Sequence, residues 1–93
     1  MQYYTYAYFD ENNIPYYIGK GKGNRAWDKN HSVRLPTNDK IILLKQNLSE
    51  NDAYRHEVYM ISILGRRNKK TGILENKTDG GDAPPTFVSH TEE

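Results

Sequence analysis

The chain has 93 residues, which is room for one domain. Only 35% of the residues are apolar, and no apolar run approaches the roughly 18 residues of a membrane span, so we expect no membrane association. The chain contains no cysteine, which excludes disulfide scaffolds, thiolate zinc sites and cysteine nucleophiles. The N-terminal residues have no signal-peptide pattern. Together these features favour a reducing compartment and therefore a cytoplasmic protein.

The charge is nearly balanced but unevenly distributed. Thirteen basic and 12 acidic residues give a net charge of +1, which is weak for a nucleic-acid-binding protein. Basic residues nevertheless concentrate in residues 20–40 and 66–77, while much of the acidic charge lies elsewhere. If these two segments converge in space, they form a face that attracts phosphate. The alternative that charge alone leaves open is a mixed, solvated surface.

The first predicted elements are two strands joined by a polar turn. Residues 2–9 alternate with period two, which predicts a strand with its even-numbered tyrosines on one face. A second strand opens at Pro15 and is expected to end at Gly19. Two such strands form an antiparallel hairpin. The eleven-residue spacing between Tyr6 and Tyr17 then brings both phenols to the same end of the hairpin.

The middle of the chain predicts a loop, a short helix and a third strand. Residues 19–23 form a basic, glycine-rich stretch, and Asn24 is an acceptable N-cap for a helix over residues 25–30. Trp27 in that helix is interpreted as a core anchor rather than a base-stacking platform. The apolar run 41–44 is ambiguous by periodicity, and its β-branching favours a central strand buried on both faces.

The clearest helix begins after Ser49 and ends at Gly65. Its apolar residues fall at helical spacing on one face, and Glu57 lies among them. A buried carboxylate is costly unless it is paired, so Glu57 predicts an arginine, a tyrosine hydroxyl or a cation nearby. We expect a folded domain over residues 1–82 and a flexible tail over residues 83–93.

Five positions of the chain follow the order of a known motif. Tyr4-Thr5-Tyr6 and Tyr17-Ile18-Gly19 stand where the two halves of the GIY-YIG motif belong, and Arg25, Glu57 and Asn76 follow at the expected places. The chain therefore resembles the GIY-YIG nuclease superfamily, in particular its small phage and bacterial single-domain branch. The resemblance extends over residues 3–81, nearly the whole chain.

The resemblance implies both a fold and a reaction. The fold is a compact α/β domain with a three-stranded antiparallel sheet flanked by helices, and the reaction is metal-dependent endonuclease hydrolysis of a DNA phosphodiester. Glu57 is expected to hold one Mg²⁺ or Mn²⁺ ion, completed by water and phosphate oxygens. Arg25 is expected to bind the scissile phosphate. Tyr6 would accept the proton of the attacking water or position that water, and Tyr17 would orient water or phosphate.

The remaining candidate residues are basic or amide side chains that the resemblance assigns to DNA binding. They are Lys20, Lys22, Arg66, Arg67 and Asn76. The first two lysines are also candidates to lower the pKa of the Tyr6 phenol, which is near 10 when unperturbed.

The proton acceptor is the main departure from the family pattern. Many relatives carry histidine four residues after the arginine, where this chain has Lys29, and the nearest histidine is His31. On a helix, Lys29 lies one turn from Arg25 on the same face, whereas His31 does not return to that face. Both stay candidates for the catalytic site: Lys29 as a fixed charge, and His31 as the proton acceptor if the helix ends early.

Two other functions remain open at this point. One is a non-catalytic nucleic-acid-binding module that keeps the fold, and the other is a tyrosine-rich single-strand binder. DNA is the expected partner in each case, in the cytoplasm of a bacterium or a phage-infected cell. A monomer with one site should nick DNA, while cutting both strands needs a homodimer or two visits. Sequence specificity would come from dimerisation, DNA structure or a separate partner protein.

Overall fold

The computed structural model describes residues 2–81. The strands and the helix in chain order are β1 (Tyr3–Phe9), β2 (Pro15–Lys22), β3 (Ile41–Leu48) and α1 (Glu50–Leu64). Single 3₁₀ turns lie at Arg25–Trp27, Asn38–Lys40 and Arg67–Lys69. The predicted tail, residues 83–93, and the last residue of the predicted domain lie outside the described residues.

The strands form one antiparallel sheet in the order β2-β1-β3. The predicted α/β domain with a three-stranded antiparallel sheet is thereby confirmed. The prediction of flanking helices in the plural is wrong for residues 2–81, which contain one α-helix. This helix packs on one face of the sheet. The other face is covered by the irregular segment between β2 and β3.

The central strand β1 separates two clusters of buried side chains. Its even-numbered tyrosines lie on one face with Ala26 and Ile41, as the alternation predicts. The small residue Ala7 lies on the other face with Ile61 of the helix. Because side chains of a strand alternate between the faces, large aromatic residues fill one layer and small residues admit the helix to the other.

The predicted end of β2 at Gly19 is wrong. The strand continues to Lys22, with Gly19 opposite Tyr6 and Gly21 opposite Tyr4. The expected glycine-rich loop is therefore mostly strand. The side chain of Tyr6 lies over Gly19 in this strand, and that of Arg25 lies over Gly21.

The predicted helix over residues 25–30 is also wrong. Only one 3₁₀ turn forms, at Arg25–Trp27, and Asp28 is already extended with ψ 138°. Asn24 makes no side-chain capping hydrogen bond to this turn. Trp27 is 39% exposed rather than a core anchor. Hydrogen bonds from the tyrosines of β1 hold this segment in its irregular path instead.

The third strand lies at an edge of the sheet, not at its centre. β3 runs from Ile41 to Leu48, longer than the predicted 41–44, and pairs only with β1 among the described strands. Ile42 is 43% exposed, so the run is not buried on both faces. Hydrophobic composition alone cannot distinguish a central strand from an edge strand of this kind.

The predicted helix is confirmed with its termini. The Ser49 hydroxyl accepts a hydrogen bond from the Asp52 N–H at 3.1 Å, which caps the first turn of α1. Gly65 ends the helix with φ 75°, a conformation that favours glycine. Glu57 is buried on the inner face with Ala53 and Ile61. Within residues 2–81, no helix is both long and apolar enough to cross a bilayer.

Candidate active site

Two glycines of β2 make room for side chains that lie flat on the sheet. A methyl group at Gly19 would stand 2.5 Å from the Tyr6 hydroxyl, and one at Gly21 would stand 2.5 Å from Cβ of Arg25. Any side chain at either position would displace its neighbour. Both glycines therefore fix the positions of a phenol and an arginine stem on the same face of the sheet.

Tyrosine hydroxyls of β1 anchor the segment that follows β2. Tyr4 donates to the Gly23 carbonyl at 2.8 Å and accepts from the Ala26 N–H at 3.0 Å. Tyr8 donates to the Ala26 carbonyl at 2.6 Å. These bonds satisfy buried backbone groups of a segment that has no regular secondary structure of its own. They also fix the 3₁₀ turn that carries Arg25.

His31 lies in direct contact with Tyr6. Its Nε2 is 2.7 Å from the Tyr6 hydroxyl, and its Nδ1 is 2.7 Å from the Asp28 carbonyl oxygen. A carbonyl only accepts, so Nδ1 carries the hydrogen in the neutral ring. Nε2 is then the acceptor, and the Tyr6 hydroxyl donates to it. The result is a hydrogen-bonded chain from the Asp28 carbonyl through the imidazole to the phenol.

Burial decides the protonation states in this chain. It raises the pKa of Tyr6 above its ordinary range, and the neighbouring Tyr17 adds to the rise. Burial lowers the pKa of His31, so the imidazole is neutral at pH 7. A neutral imidazole whose unprotonated Nε2 accepts from the Tyr6 hydroxyl is a competent acceptor for the phenol proton. The phenol is a hydrogen-bond donor in this state.

The expected effect of Lys20 and Lys22 on Tyr6 does not occur. These lysines lie opposite Thr5 and Tyr3, and alternation along β2 places them on the face away from Gly19 and Gly21. The cation that lowers the pKa of Tyr6 is Arg25, and burial outweighs it.

Arg25 stands beside the phenols with part of its side chain exposed. Its Nη1 donates to the Asn30 carbonyl at 2.9 Å and lies 3.9 Å from the Asp28 carboxylate. The side chain is 38% exposed. Among the described residues, Nη2 has no acceptor, so it is available to an anion from solvent. Such a planar guanidinium suits a phosphate oxygen.

Tyr17 completes the aromatic wall of the site. Its ring stacks on Tyr8 with the centroids 5.4 Å apart and lies 6.3 Å from the Tyr6 ring. The ring of His31 meets Tyr17 edge-on at 5.6 Å. Burial, followed by the charge of Glu57, raises the pKa of the Tyr17 phenol. The spacing of Tyr6 and Tyr17 therefore does bring the two rings together.

Glu57 lies on α1, and its charge acts on the Tyr6 and Tyr17 phenols. It is 4% exposed, and burial raises its pKa above the ordinary value. One carboxylate oxygen accepts a 3.3 Å hydrogen bond from the Gly81 N–H. Within residues 2–81 the other oxygen has no donor. Lys20 reduces the rise in the pKa of Glu57 from a distance, but its ammonium group lies 3.7 Å from Glu50.

A buried carboxylate with one unsatisfied oxygen fits a divalent cation. No group of three or more potential ligands of the His, Cys, Asp and Glu types clusters in residues 2–81. A cation here would therefore take one protein carboxylate, from Glu57, and complete its shell with water and phosphate oxygens, as Mg²⁺ commonly does.

The structure clearly separates Lys29 and His31, the two candidates for the place of the family histidine. Lys29 is exposed, and the predicted helix that would align it with Arg25 is absent. Its backbone carbonyl accepts from the His31 N–H at 2.8 Å, which helps to turn the chain back toward the sheet. His31, rather than Lys29, is in contact with Tyr6.

Two of the five predicted DNA-binding residues are built into the fold. Arg66 is 8% exposed and forms a 2.7 Å ion pair with Asp79. Asn76 is 6% exposed, and its amide accepts from the Ile18 N–H at 3.0 Å and donates to the Ile18 carbonyl at 2.8 Å. Both side chains are bonded within the fold, and their contact with DNA stays a prediction. Arg67, like Lys22, is exposed and open to such a contact.

We expect Asn76→Ala to destabilise the protein by about 2–4 kcal/mol, because it leaves two buried backbone groups of Ile18 unpaired. Urea unfolding measures the loss. Asn12→Ala, at an exposed turn position, should change stability by less than about 0.5 kcal/mol. Equal stability of both variants, with reduced DNA affinity only for Asn76→Ala, would instead support the original DNA-binding prediction.

Three participants in the site carry no motif signal of their own. Tyr8 lies directly opposite Tyr17 and packs against His31 with the centroids 5.2 Å apart. The period-two alternation, which places Tyr8 on the same face of β1 as Tyr6, was the sequence signal that could have identified it. The Asp28 carbonyl and the Gly81 N–H act through the backbone, which sequence cannot reveal before the chain path is known.

Comparison of the chain with protein-family models, with curated proteins and with solved structures found no match.

Proposed function

We propose that this protein is a GIY-YIG-type endonuclease that hydrolyses DNA phosphodiester bonds with one Mg²⁺ or Mn²⁺ ion. The observation that carries the proposal is the hydrogen-bonded chain from Asp28 through His31 to Tyr6, placed beside a partly exposed arginine. Tyr17 and Arg25 lie beside this chain, and the charge of Glu57 acts on the Tyr6 and Tyr17 phenols. Their arrangement supplies a proton path, an anion-binding group and a cation-binding carboxylate.

The proton path begins at the attacking water. Water gives a proton to the Tyr6 oxygen while the Tyr6 proton passes to Nε2 of His31, 2.7 Å away. The raised pKa of Tyr6 makes a free phenolate costly, so a neutral histidine in contact with the phenol is needed. The Asp28 carbonyl holds the opposite Nδ1–H and fixes the tautomer, which is the usual arrangement of an activated hydroxyl, a base and an orienting group.

Arg25 binds the phosphate in this proposal. Its Nη2 donors are available, and its charge is held next to the phenols by the contact with Gly21. Positive charge there stabilises the pentacoordinate phosphate as negative charge builds up on its oxygens. Tyr17, whose ring lies 6.3 Å from that of Tyr6, orients the phosphate or the water. Glu57 would hold a divalent ion, which would supply positive charge to the reaction when bound.

We expect wild-type protein to convert supercoiled plasmid to open circles in Mg²⁺ or Mn²⁺ but not in chelator. Arg25→Ala should reduce the rate about 10²-fold, the typical loss when one transition-state donor is removed. Arg34→Ala is the matched control, because Arg34 packs on the Tyr16 ring 4.3 Å away and takes no part in the proposal. Gel electrophoresis of the plasmid forms measures both rates.

Three results of that assay would count against the proposal. A complete lack of cutting by folded wild type in both metals would favour a nucleic-acid-binding module without activity. Cutting in chelator would remove the role of the divalent ion. Equal loss of activity in Arg25→Ala and Arg34→Ala would indicate a general charge effect rather than phosphate binding by Arg25.

A further inference from the structure

The single tryptophan of the chain is exposed next to the proposed phosphate-binding group. Trp27 is 39% exposed and shares a 3₁₀ turn with Arg25. Its ring meets Tyr4 edge-on at a centroid distance of 6.3 Å. The indole is thus supported at its edge by the aromatic layer, while part of its surface is open to solvent.

The turn holds this indole in a defined position. Successive side chains of a 3₁₀ turn point about 120° apart. Ala26 is fully buried and is bonded through its N–H and its carbonyl to Tyr4 and Tyr8. Arg25 and Trp27 consequently project from the turn on either side of the buried Ala26, and the backbone that carries them is held in place. A strand whose phosphate binds Arg25 passes close to the indole.

The charge around the indole suits a nucleic-acid strand. Lys29 is exposed four positions after Arg25 in the same segment, whereas Lys22 lies on the other face of the sheet, over the Tyr3 ring. The acidic residue of this segment, Asp28, lies 3.9 Å from the Arg25 guanidinium, which partly offsets its charge. Cations that follow a sugar-phosphate backbone beside an exposed aromatic ring are typical of sites for unpaired nucleic acid.

We infer that Trp27 is a stacking platform for an unpaired base adjacent to the phosphate held by Arg25. The inference rests on the proposed function, since it places that phosphate at the cut. A base inside a paired duplex is stacked between its neighbours and reaches such a platform only after costly unstacking. The substrate class is therefore DNA with single-stranded or unpaired nucleotides at the cleavage position.

The test measures binding without cleavage, using the Glu57→Gln protein in chelator. Three probes are compared: a single-stranded oligonucleotide, the fully paired duplex of the same sequence, and a single strand of the same length without bases. Because Trp27 is the only tryptophan, its fluorescence reports this position alone. The strand with bases should quench the emission at saturation, and the strand without bases should bind with much less quenching.

Substitutions separate stacking from charge. By anisotropy of labelled probes, Trp27→Ala should weaken binding of the single strand about tenfold and leave duplex binding nearly unchanged. Trp27→Phe should restore most of the affinity, whereas Trp27→Leu, which is apolar but not aromatic, should not. Circular dichroism of each variant confirms that it is folded before binding is compared.

Unchanged fluorescence at saturation, or equal losses for single strand and duplex, would overturn the inference. Cleavage by wild type in Mg²⁺, measured on the plasmid and on the single-stranded probe, keeps its failure separate from that of the proposed function. Quenching without cleavage by wild type would support the base contact and overturn the endonuclease. Cleavage without quenching would support the endonuclease and overturn the base contact.

Discussion

Replacing Glu57 by glutamine should abolish cleavage and, at the same time, stabilise the metal-free protein at neutral pH. The glutamine side chain keeps the volume and an oxygen that can accept from the Gly81 N–H, but it has no charge to hold a divalent ion. We expect the cleavage rate to fall at least about 10³-fold, since the charge supplied by the ion is worth several kcal/mol in the transition state.

The gain in stability follows from the direction of the pKa shift. Burial raises the pKa of Glu57 in the folded protein, so the folded state prefers the protonated acid. The contribution of protonated Glu57 to the free energy of unfolding is fully present below the unfolded pKa and is lost as pH rises through the folded pKa. As pH rises through the folded pKa, the wild-type carboxylate becomes charged and destabilises the fold, whereas glutamine is not charged at any pH.

Thermal unfolding in chelator and in Mg²⁺ tests both halves of this prediction. Mg²⁺ should raise the Tm of wild type, because an ion that binds only the folded state stabilises it, and should leave Glu57→Gln unchanged. Glu50→Gln is the matched control, since Glu50 lies on the same helix but pairs with Lys20. An equal Mg²⁺ effect on wild type and Glu57→Gln would show that Glu57 is not the metal ligand.

His31→Gln should reduce the cleavage rate about 10³-fold while leaving the metal response of the Tm intact. Glutamine can hydrogen-bond to Tyr6, but it cannot take up a proton at neutral pH. Proton transfer by a positioned side chain contributes about 10²–10⁴-fold to such reactions. The loss should appear in kcat, because neither DNA nor the ion contacts His31 in the proposed mechanism.

The dependence of the cleavage rate on pH should identify His31 as the base. Burial lowers its pKa below the ordinary 6.5, so the wild-type rate should stay high in mildly acidic buffer and fall only as pH drops through that lowered pKa. This acidic limb should be missing from the residual rate of His31→Gln. Persistence of the same limb in the variant would assign the base to another group.

Two further variants make the assignment specific. His56→Gln changes the histidine that contacts Thr5 at 2.7 Å outside the site, and it should retain the wild-type profile. Tyr6→Phe removes the other end of the proton path. Combining Tyr6→Phe with His31→Gln should cost little more than either change alone, because residues that act as a unit are not additive.

Local signals in the sequence predicted the elements whose causes are local. The alternation in residues 2–9 predicted the strand β1 and the face on which its even-numbered tyrosines lie. Ser49 and Gly65 gave the bounds of α1, because a capping hydroxyl and a left-handed glycine act within a few residues. Glu57 on the inner face was likewise predicted by helical spacing. The motif order then predicted which of these residues should meet.

The failures have causes that are distant in the chain. Residues 25–30 do not form a helix because Tyr4 and Tyr8 bond to the backbone of residues 23–26 from another element. The apolar run 41–44 lies at an edge because β1, not β3, pairs on both sides. Strand order and long-range hydrogen bonds leave no periodic trace in a single sequence.

The same reason explains the mixed outcome at the candidate site. Arg66 and Asn76 were predicted to bind DNA, yet each is buried and bonded within the fold, Arg66 to Asp79 and Asn76 to the backbone of Ile18. His31 was one of two alternatives because its place depended on where a helix ended. Its contact with Tyr6 arises from the turn after Asp28, which local propensity did not predict.

The tyrosine hydroxyls on one face of the sheet hold the segment between β2 and β3 through its backbone, so the path of this segment depends little on its side chains. Besides the bonds from Tyr4 and Tyr8, Tyr16 donates to the Arg34 carbonyl at 2.8 Å. All of these hydrogen bonds are made to backbone groups of the loop, which are nearly the same whatever the side chain. Exposed positions between the anchored points can consequently accept new side chains while Arg25 and His31 keep their places. In the proposed nuclease, substrate preference can therefore diversify around fixed positions of Arg25 and His31, without renewed selection for folding.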